Sequence, residues 1–411
     1  DRIWDTLEEE MIEDVRGVFS LSDFRCLHQR DGESIQKLLK GMDEKMAEKY
    51  PDGFGKDDIE YAELDNDKVV LLNYTSGTTG FSKGVMLTGN NLAGNVMYGI
   101  ELGVLYRGER ELCFLPLAHA YSCAFNFLVP MAVGAHVYLL GKVPSPKILL
   151  KAFEEVKPNL ILTVPLILEK IYKKMILPQL SKTTMKVALN IPLLDSRIYA
   201  QIRKKLVDAF GGRFREVIVG GAAMNEEVTN FLYKIKFPFT IGYGMTECGP
   251  LISYDHNDEY VPGSCGQILK GIMKVRIDSE DPYNKVGEIQ VSGENVMKGY
   301  YKNEEATSKV FTEDGWLRTG DLGTIDADNR IYIRGRSKTM ILGASGQNIY
   351  PEEIESKLNN LPFVMESIII EKNGKLVGLV YPDYDTVDST GISHEDLPII
   401  MEQNRIELNK L

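Results

Sequence analysis

Short β-rich apolar runs that alternate with proline-opened helical patterns constrain this chain more than any other feature. Residues 68–73 (KVVLLN), 159–164 (NLILTV) and 216–219 (EVIV) are each closed by turn or small residues. A run that is apolar at nearly every position suits a strand buried on both faces, as in a parallel sheet. Between these runs, residues 146–156 (PKILLKAFEEV) and 165–175 each start with proline, whose fixed φ suits a first helical turn, and repeat apolar residues at helical spacing. The alternation predicts an open parallel sheet with helices on its faces, an arrangement that binds ligands at the carboxyl ends of its strands.

Past Asp255 the texture changes. Residues 273–278 (MKVRID), 288–292 (EIQVS), 322–326 and 330–334 alternate over short lengths between Gly, Asp and Asn, which predicts an antiparallel, partly barrel-like unit. After Arg336 comes a helix opened by Pro351 (351–361), strands at 366–371 and 375–381, and a charged helix over 395–411, which together predict a small α/β lobe. The fold class expected is therefore α/β: a large domain of parallel sheet with helices (1–255) and its β-rich subdomain (256–335), then a C-terminal lobe (336–411). No internal repeat is visible.

The 411 residues carry 47 basic and 59 acidic side chains, a net charge of −12, and are 44% apolar. That balance excludes disorder across the whole chain, and without a long basic run it argues against nucleic acid or an anionic membrane as the main partner. An anion would have to be held in a local pocket. Five cysteines, an odd number with no CxxC pair, read as reduced thiols; Cys248 is expected only to pack. No apolar run approaches the roughly 20 residues of a membrane span, and DRIWDTLEEEMIED is too acidic for a signal peptide. A cytoplasmic location follows as the expectation, with peripheral membrane contact and oligomerisation left open. The chain opens at Asp1, without methionine, which reads as a processed or shortened product.

Three segments carry chemistry. Residues 74–84 (YTSGTTGFSKG) follow an apolar run and precede a helical stretch near Asn90. Glycines let backbone N–H groups turn towards an anion, hydroxyls donate further hydrogen bonds and Lys83 supplies a point charge, so the segment suits polyphosphate. Its spacing is not that of a Walker A loop; a flexible Ser/Thr/Gly turn is the bland alternative. In residues 242–247 (GYGMTE), glycines flank Tyr243 so that its ring and the backbone can approach a flat ligand, and Glu247 offers an oxygen suited to Mg²⁺. Gly220, Gly221, Ala222 and Ala223 close another strand with the same ambiguity between packing and ligand approach. Residues 314–321 (DGWLRTGD) end on Asp321, which can accept both hydroxyls of a ribose, and Arg336 follows in 335–338 (GRSK). His119, in an apolar run, is by default a satisfied core histidine, and Asp255, Asp258 and Glu259 read as a solvated loop.

Taken in this order, the segments resemble the adenylate-forming, acyl-activating enzyme superfamily, most closely its long-chain fatty acid CoA ligases. The likeness runs through YTSGTTGFSKG, LPLAHAY, VGGAAM, GYGMTE, GEIQVSGENVMKGYYKN, DGWLRTGDLG and RGRSKTMILGASGQNIYPEEIE, from about Asp65 to Leu411. It implies activation of a fatty acid by ATP to acyl-AMP with release of pyrophosphate, then transfer to coenzyme A. By that likeness Thr75, Ser76, Gly77, Thr78, Thr79, Gly80 and Lys83 hold phosphates. Gly221, Ala222 and Tyr243 take the adenine, Asp321 and Arg336 take the ribose, and Gly242, Gly244, Met245 and Thr246 complete the ATP- and AMP-binding set. Glu247, with Thr75, ligates Mg²⁺. Lys83, Thr246, Glu247 and Arg336 are the catalytic set; His119, Gly220 and Gly244 face the acid; Gly346 lines the coenzyme A tunnel and Lys338 is the hinge of the C-terminal lobe. The family also carries a lysine near its C-terminus in a Thr-Pro-Lys or Pro-Lys-Thr context, which Lys410 lacks, and a longer stretch before the phosphate loop. The chain is therefore expected to be shortened at both ends. Amino-acid or aryl-acid adenylation with transfer to a carrier protein, and nucleotide or acyl binding without turnover, are the competing readings. The first would want a buried acidic partner for an α-amino group, whereas 119–129 (HAYSCAFNFLV) is apolar.

Overall fold

The computed structural model describes residues 4–410 apart from 21, 31–33, 62, 64, 76–81, 143, 181, 192–193 and 343–346. The chain forms two compact units, Asp1–Leu64 and Asp65–Leu411. In the first, β1 (Gly17–Phe19) and β2 (Cys26–Gln29) pair antiparallel, and a helix, α1 (Met42–Lys49), follows with no buried residue.

The second unit opens on β3 (Val69–Thr75) and β4 (Lys83–Thr88), antiparallel neighbours with Thr75 opposite Lys83. This corrects the reading of 68–73 as a buried parallel strand. Because 83–88 returns alongside it, β3 lies at the edge of its sheet and leaves Val70, Leu72 and Tyr74 exposed. Next comes α2 (Gly89–Glu101), capped reciprocally by Thr88 and Asn91: each side chain accepts the other's backbone N–H, at 3.2 and 2.8 Å. Two asparagines of α2 reach across the molecule. Asn91 donates to the carbonyls of Glu294 and Val296, and Asn95 donates to Cys248 O and accepts from Leu251 N, so α2 anchors the 248–251 segment.

The expected parallel sheet is present. It is built from β5 (Arg110–Cys113), β6 (His136–Leu139), β7 (Leu160–Thr163), β8 (Glu216–Val219) and β9 (Phe239–Ile241), in the order β6-β5-β7-β8-β9. The connecting helices include α3 (Pro146–Val156), α4 (Pro165–Ile171), α5 (Leu194–Ala209) and α6 (Glu226–Lys234). Every residue of β7 and β8 is buried, as a run without polar alternation requires. Ile161 and Val217 point into one core with Phe153 and Phe210, whereas Leu160, Leu162 and Ile218 point into the other. Phe153, 1% exposed, sits between Phe114 and Phe210 at 5.8 and 5.1 Å; burying such a ring contributes about 1.5–3 kcal/mol.

Antiparallel pairing follows, as expected. β10 (Tyr243–Gly244), β11 (Leu251–Tyr254) and β12 (Gln267–Ile268) form one small sheet, and β13 (Met273–Asp278), β14 (Gly287–Gly293), β16 (Leu317–Ile325) and β17 (Ile331–Arg336) another, while β15 (Gly299–Tyr300) pairs with β4 and leads into α7 (Glu304–Val310). Asp255 departs from the solvated-loop reading. It is 4% exposed and accepts from Arg330 Nε at 2.9 Å, because the turn between β16 and β17 folds over the end of β11. Asp258 and Glu259 are exposed, as read.

The C-terminal part holds β18 (Ile341–Leu342), β19 (Asn348–Ile349), α8 (Pro351–Leu358), β20 (Val364–Lys372), β21 (Lys375–Pro382) and α9 (Leu397–Leu408). Its apolar core, around Leu358, Val364 and Ile369, draws only on residues 341–408, and neither of the two larger cores extends past Ile333. Among the described residues no helix is long and apolar enough to cross a membrane.

Candidate active site

The residues named for nucleotide chemistry meet at the two ends of one short segment, 243–247. At its first end the Tyr243 hydroxyl donates to Asp321 Oδ2 at 2.7 Å. Asp321 lies on β16 directly opposite Arg336 on β17, and Arg336 Nε is 3.3 Å from the other carboxylate oxygen. Tyr243 and Asp321 are 6% and 9% exposed, whereas Arg336 is exposed. Burial pushes the Asp321 carboxyl above its ordinary range, opposed by the Tyr243 hydroxyl and the Arg336 guanidinium. The result is a recessed carboxylate with one oxygen held by an aromatic hydroxyl and one facing an exposed guanidinium.

At the other end, Glu247 sits in a 3₁₀ turn, Thr246–Cys248, fixed by Met297 N donating to its carbonyl. Its Oε1 accepts from the Tyr300 hydroxyl at 2.8 Å, and the Lys83 ammonium stands 4.8 Å from the centre of the same Tyr300 ring. Tyr300 is the residue that sequence reasoning missed. It lies in the quoted KGYYKN stretch, and its pairing with Val85 on β4 brings it beside both the lysine and the glutamate. Lys83 is half-buried at the start of β4, across from Thr75. Of the phosphate-loop residues, Ser76, Gly77, Thr78, Thr79 and Gly80 lie outside the described residues, as does Gly346. Met245 and Thr246 are half-buried between the two ends.

One glycine of the segment is required by close approach. A Cβ at Gly244 would stand 2.3 Å from the carbonyl oxygen of Pro250, whereas one at Gly220, at the end of β8, would meet the Tyr121 ring only in ordinary contact at 3.4 Å. Gly221 takes φ +90°, and with Ala222 and Ala223 it is exposed at the carboxyl end of β8. Gly242 is half-buried at the end of β9.

Tyr121 joins this strand end to an apolar cavity whose walls include Gly99, Leu102, Phe125, Leu162, Ile218 and Tyr254. Its hydroxyl donates to Ile218 O at 3.1 Å, which holds the ring across the cavity. Beyond Tyr254 the wall is fixed by a polar network absent from the sequence reading. The Tyr254 hydroxyl donates to Glu216 Oε1 at 2.6 Å, and His256 lies 3.1 Å from that hydroxyl and 3.0 Å from Leu102 O. Burial alone would push the Glu216 carboxyl up, but hydrogen bonds from His256 and Tyr254 hold it below its ordinary value, and the same contact raises His256. His119 itself departs from the default of a core histidine: it is exposed, just ahead of the short helix Ala120–Ser122. Pro116, Leu117 and Ala118 are exposed with it, in the turn between the buried 111–114 stretch and Ala120. Cys248 is fully buried and packs, as expected. Lys338 is exposed just past β17.

No group of three His, Cys, Asp or Glu side chains among the described residues could hold a metal alone. Glu247 and Thr75 nevertheless offer a carboxylate and a hydroxyl oxygen, donors of the kind Mg²⁺ accepts, since that ion keeps water and phosphate oxygens for most of its shell and needs one or two protein oxygens.

A family model described as AMP-binding enzyme matches residues 12–301. The chain belongs to the AMP-binding enzyme family. Within it, the chain is 29% identical to long-chain-fatty-acid–CoA ligase 1 of Saccharomyces cerevisiae over 77% of its length and 49% of that enzyme. It is 31% identical to 4-coumarate–CoA ligase CCL1 of Humulus lupulus over 83% of its length and 59% of that enzyme. It thus spans about half the length of the curated relatives it matches. The ATP-bound structure of MatB from Rhodopseudomonas palustris superposes with a TM-score of 0.64 at 26% identity, covering 85% of this chain and 68% of that one. The O-succinylbenzoate coenzyme A synthetase MenE from Bacillus subtilis, in complex with ATP and a magnesium ion, gives 0.62 at 26% identity over 79% and 63%. This AMP-binding fold therefore occurs in relatives whose acids differ widely.

Proposed function

We propose that this chain carries the adenylation chemistry of an acyl-CoA ligase whose acid is a fatty acid. The observation that supports it most is the spacing of the two polar clusters. Asp321 is held at Tyr243, and Lys83 with Glu247 stands at the far end of the same five-residue segment, which spans at most about 14 Å when extended. An upper bound of that size leaves room for a nucleoside triphosphate lying along 243–247, with its ribose at Asp321 and Arg336 and its phosphates towards Lys83, Thr75 and Glu247. The base would face Gly221, Ala222 and Tyr243. The carboxylate then attacks the α-phosphorus, an acyl–phosphate bond forms and pyrophosphate leaves; the coenzyme A thiolate next attacks the acyl carbon and AMP leaves. Bound Mg²⁺ would neutralise charge on the departing pyrophosphate. Tyr300 keeps the Glu247 carboxylate oriented and Lys83 over its ring, so that little reorganisation accompanies charge transfer.

The apolar walls behind Tyr121 support an alkyl acid; at about 20 Å³ the cavity admits a chain only once Tyr121 or a neighbouring wall moves. Each methylene buried there adds about 0.8 kcal/mol, roughly fourfold in affinity, until the walls are met. Acid-dependent exchange of labelled pyrophosphate into ATP, run with fatty acids of increasing length, amino acids and 4-coumarate, tests the reading. Exchange should rise with chain length and be absent with polar amino acids. Aryl acids are the second reading, favoured by the rings of Tyr98, Tyr121, Phe125 and Tyr254 around the cavity; exchange supported by 4-coumarate but by no alkyl acid would select it.

Tyr300 gives a separate test. Phenylalanine there keeps the ring beneath Lys83 and removes the hydrogen bond to the Glu247 carboxylate, an interaction worth about 1.5 kcal/mol or more when charged. Tyr300→Phe should raise the Mg²⁺ concentration needed for half-maximal ATP binding about tenfold, and Tyr300→Leu further, since it also removes a cation–π contact of about 0.5–1 kcal/mol. Titration of Mg²⁺ at fixed ATP in a calorimeter reads the shift, and equal midpoints in all three proteins would remove Tyr300 from the site.

A further inference from the structure

Asn225 joins two helices that belong to distant stretches of the chain. Its Oδ1 accepts from the backbone N–H groups of Glu227 and Val228, at 3.0 and 3.4 Å, and so caps the start of α6. Its Nδ2 donates to Ser356 O at 3.2 Å and to Asn360 Oδ1 at 2.8 Å, at the end of α8. Its own N–H donates to Glu169 Oε1 at 2.8 Å. One turn beyond Glu169, Lys173 donates from Nζ to the carbonyl oxygens of Asn359, at 2.8 Å, and Val364, at 3.3 Å. A helix leaves its last carbonyls without intrahelical donors, and amide N–H and ammonium groups are the complement of that negative end. The end of α8 is thus capped by side chains that lie 131 to 186 residues earlier in the chain.

Two further observations give this joint its meaning. The apolar core that α8 belongs to is closed within 341–408, so these hydrogen bonds cross between bodies that share no hydrophobic core. Polar contacts of this kind exchange readily for water, as in reversible domain contacts. Asn225 also lies two residues past the exposed 221–223 stretch that follows β8, so a ligand resting on that loop rests beside the residue that grips α8.

We propose that Asn225 and Lys173 are positioning residues that clamp the 336–411 lobe, by the end of α8, to the loop that faces the base, so that nucleotide occupancy and lobe position are linked. This rests on the nucleotide reading of the 220–224 loop. Release of the clamp frees the lobe without unfolding either body, because each keeps its own core.

Asn225→Asp separates the two roles of this side chain. Aspartate caps α6 as well as asparagine does, but it replaces the Nδ2 donor with an oxygen that faces Ser356 O and Asn360 Oδ1. Lys173→Met removes the cation and keeps most of the stem, and serves if the first variant folds poorly. Hydrogen exchange over 351–364, in the full chain with and without Mg-ATP, is the measurement. In the parent, Mg-ATP should change exchange in this stretch. Each variant should exchange there at least tenfold faster without ligand, lose the Mg-ATP response, and keep parental exchange in β8 and α6. Parental exchange over 351–364 in both variants, with Mg-ATP still binding, would overturn the clamp. If calorimetry finds no Mg-ATP binding to the parent, the nucleotide reading fails and the linkage with it, whereas faster exchange in the variants would still report the clamp itself.

Discussion

Glu111→Gln is expected to stabilise this protein by about 4 kcal/mol at pH 8 and to flatten its stability between pH 5 and 8. Glu111 lies on β5, between β6 and β7 in the parallel sheet, and is fully buried. Its Oε1 accepts from Asn126 Nδ2 at 2.7 Å, and its Oε2 has no hydrogen-bond partner. Burial pushes the carboxyl up to about 8 from 4.5, the Asn126 hydrogen bond opposing in part. The folded state therefore keeps a proton that the unfolded chain releases near pH 4.5. In that window folding is linked to proton binding, so stability falls by about 1.4 kcal/mol for each pH unit of rise from 4.5 to 8, and stays at its lower level above 8. Glutamine imitates the neutral acid at every pH and still accepts from Asn126. Chemical denaturation at pH 5, 6.5 and 8 should show parent and variant converging at the acid end and diverging towards pH 8. Parallel pH profiles would mean that Glu111 ionises in the fold, with a cation or water beside it.

Asp321→Ala should weaken ATP binding by about 3 kcal/mol, roughly 150-fold, if the ribose rests there. Two hydroxyls donating to a recessed carboxylate are charge-assisted hydrogen bonds, each worth about 1.5–3 kcal/mol, and alanine removes both acceptors. It also strands the buried Tyr243 hydroxyl, so part of a loss in affinity could come through the ring. Asp321→Asn separates the effects: its Oδ1 still accepts from Tyr243, while the charge and the second acceptor are gone. Calorimetric titration with ATP and with 2′,3′-dideoxy-ATP makes the comparison direct. The parent should prefer ATP strongly, and both variants should bind the two nucleotides alike. A parent indifferent to the ribose hydroxyls would remove Asp321 from the nucleotide site.

Legibility followed the range of the interaction that decides each feature. The strands at 216–219 and 273–278 appear at the boundaries expected, because buried and alternating patterns are local properties of the chain. The helix at 146–156 does so as well, opened by proline and a serine cap. The run at 68–73 was legible as a strand but not as an edge strand, since nothing within it records that 83–88 would return beside it. Asp255 looks like any acidic loop residue until Arg330, 75 positions later, is folded over it. The core default for His119 fails for the same reason, because its apolar neighbours at 116–118 are exposed with it instead of packing around it.

The site divides in the same way. Tyr243, Glu247, Lys83, Asp321 and Arg336 stand out in the sequence because glycine-flanked, hydroxyl-rich and acidic turns advertise chemistry locally. Tyr300 does not, because its role is a contact with groups 53 and 217 residues earlier in the chain. Asn225 carries no signal beyond that of a helix cap. The sequence by itself determined which segments become strands and helices, which turns can approach an anion or a flat ring, and the family to which the chain belongs. Only the tertiary structure decided that Tyr243 would hold Asp321, that Tyr300 would stand between Lys83 and Glu247, that Glu111 would lie buried with one oxygen unpartnered, and that Asn225 would cap a distant helix. Backbone propensity acts over a few residues, whereas desolvation and hydrogen bonding act between whatever groups the fold brings within about 3 Å of each other.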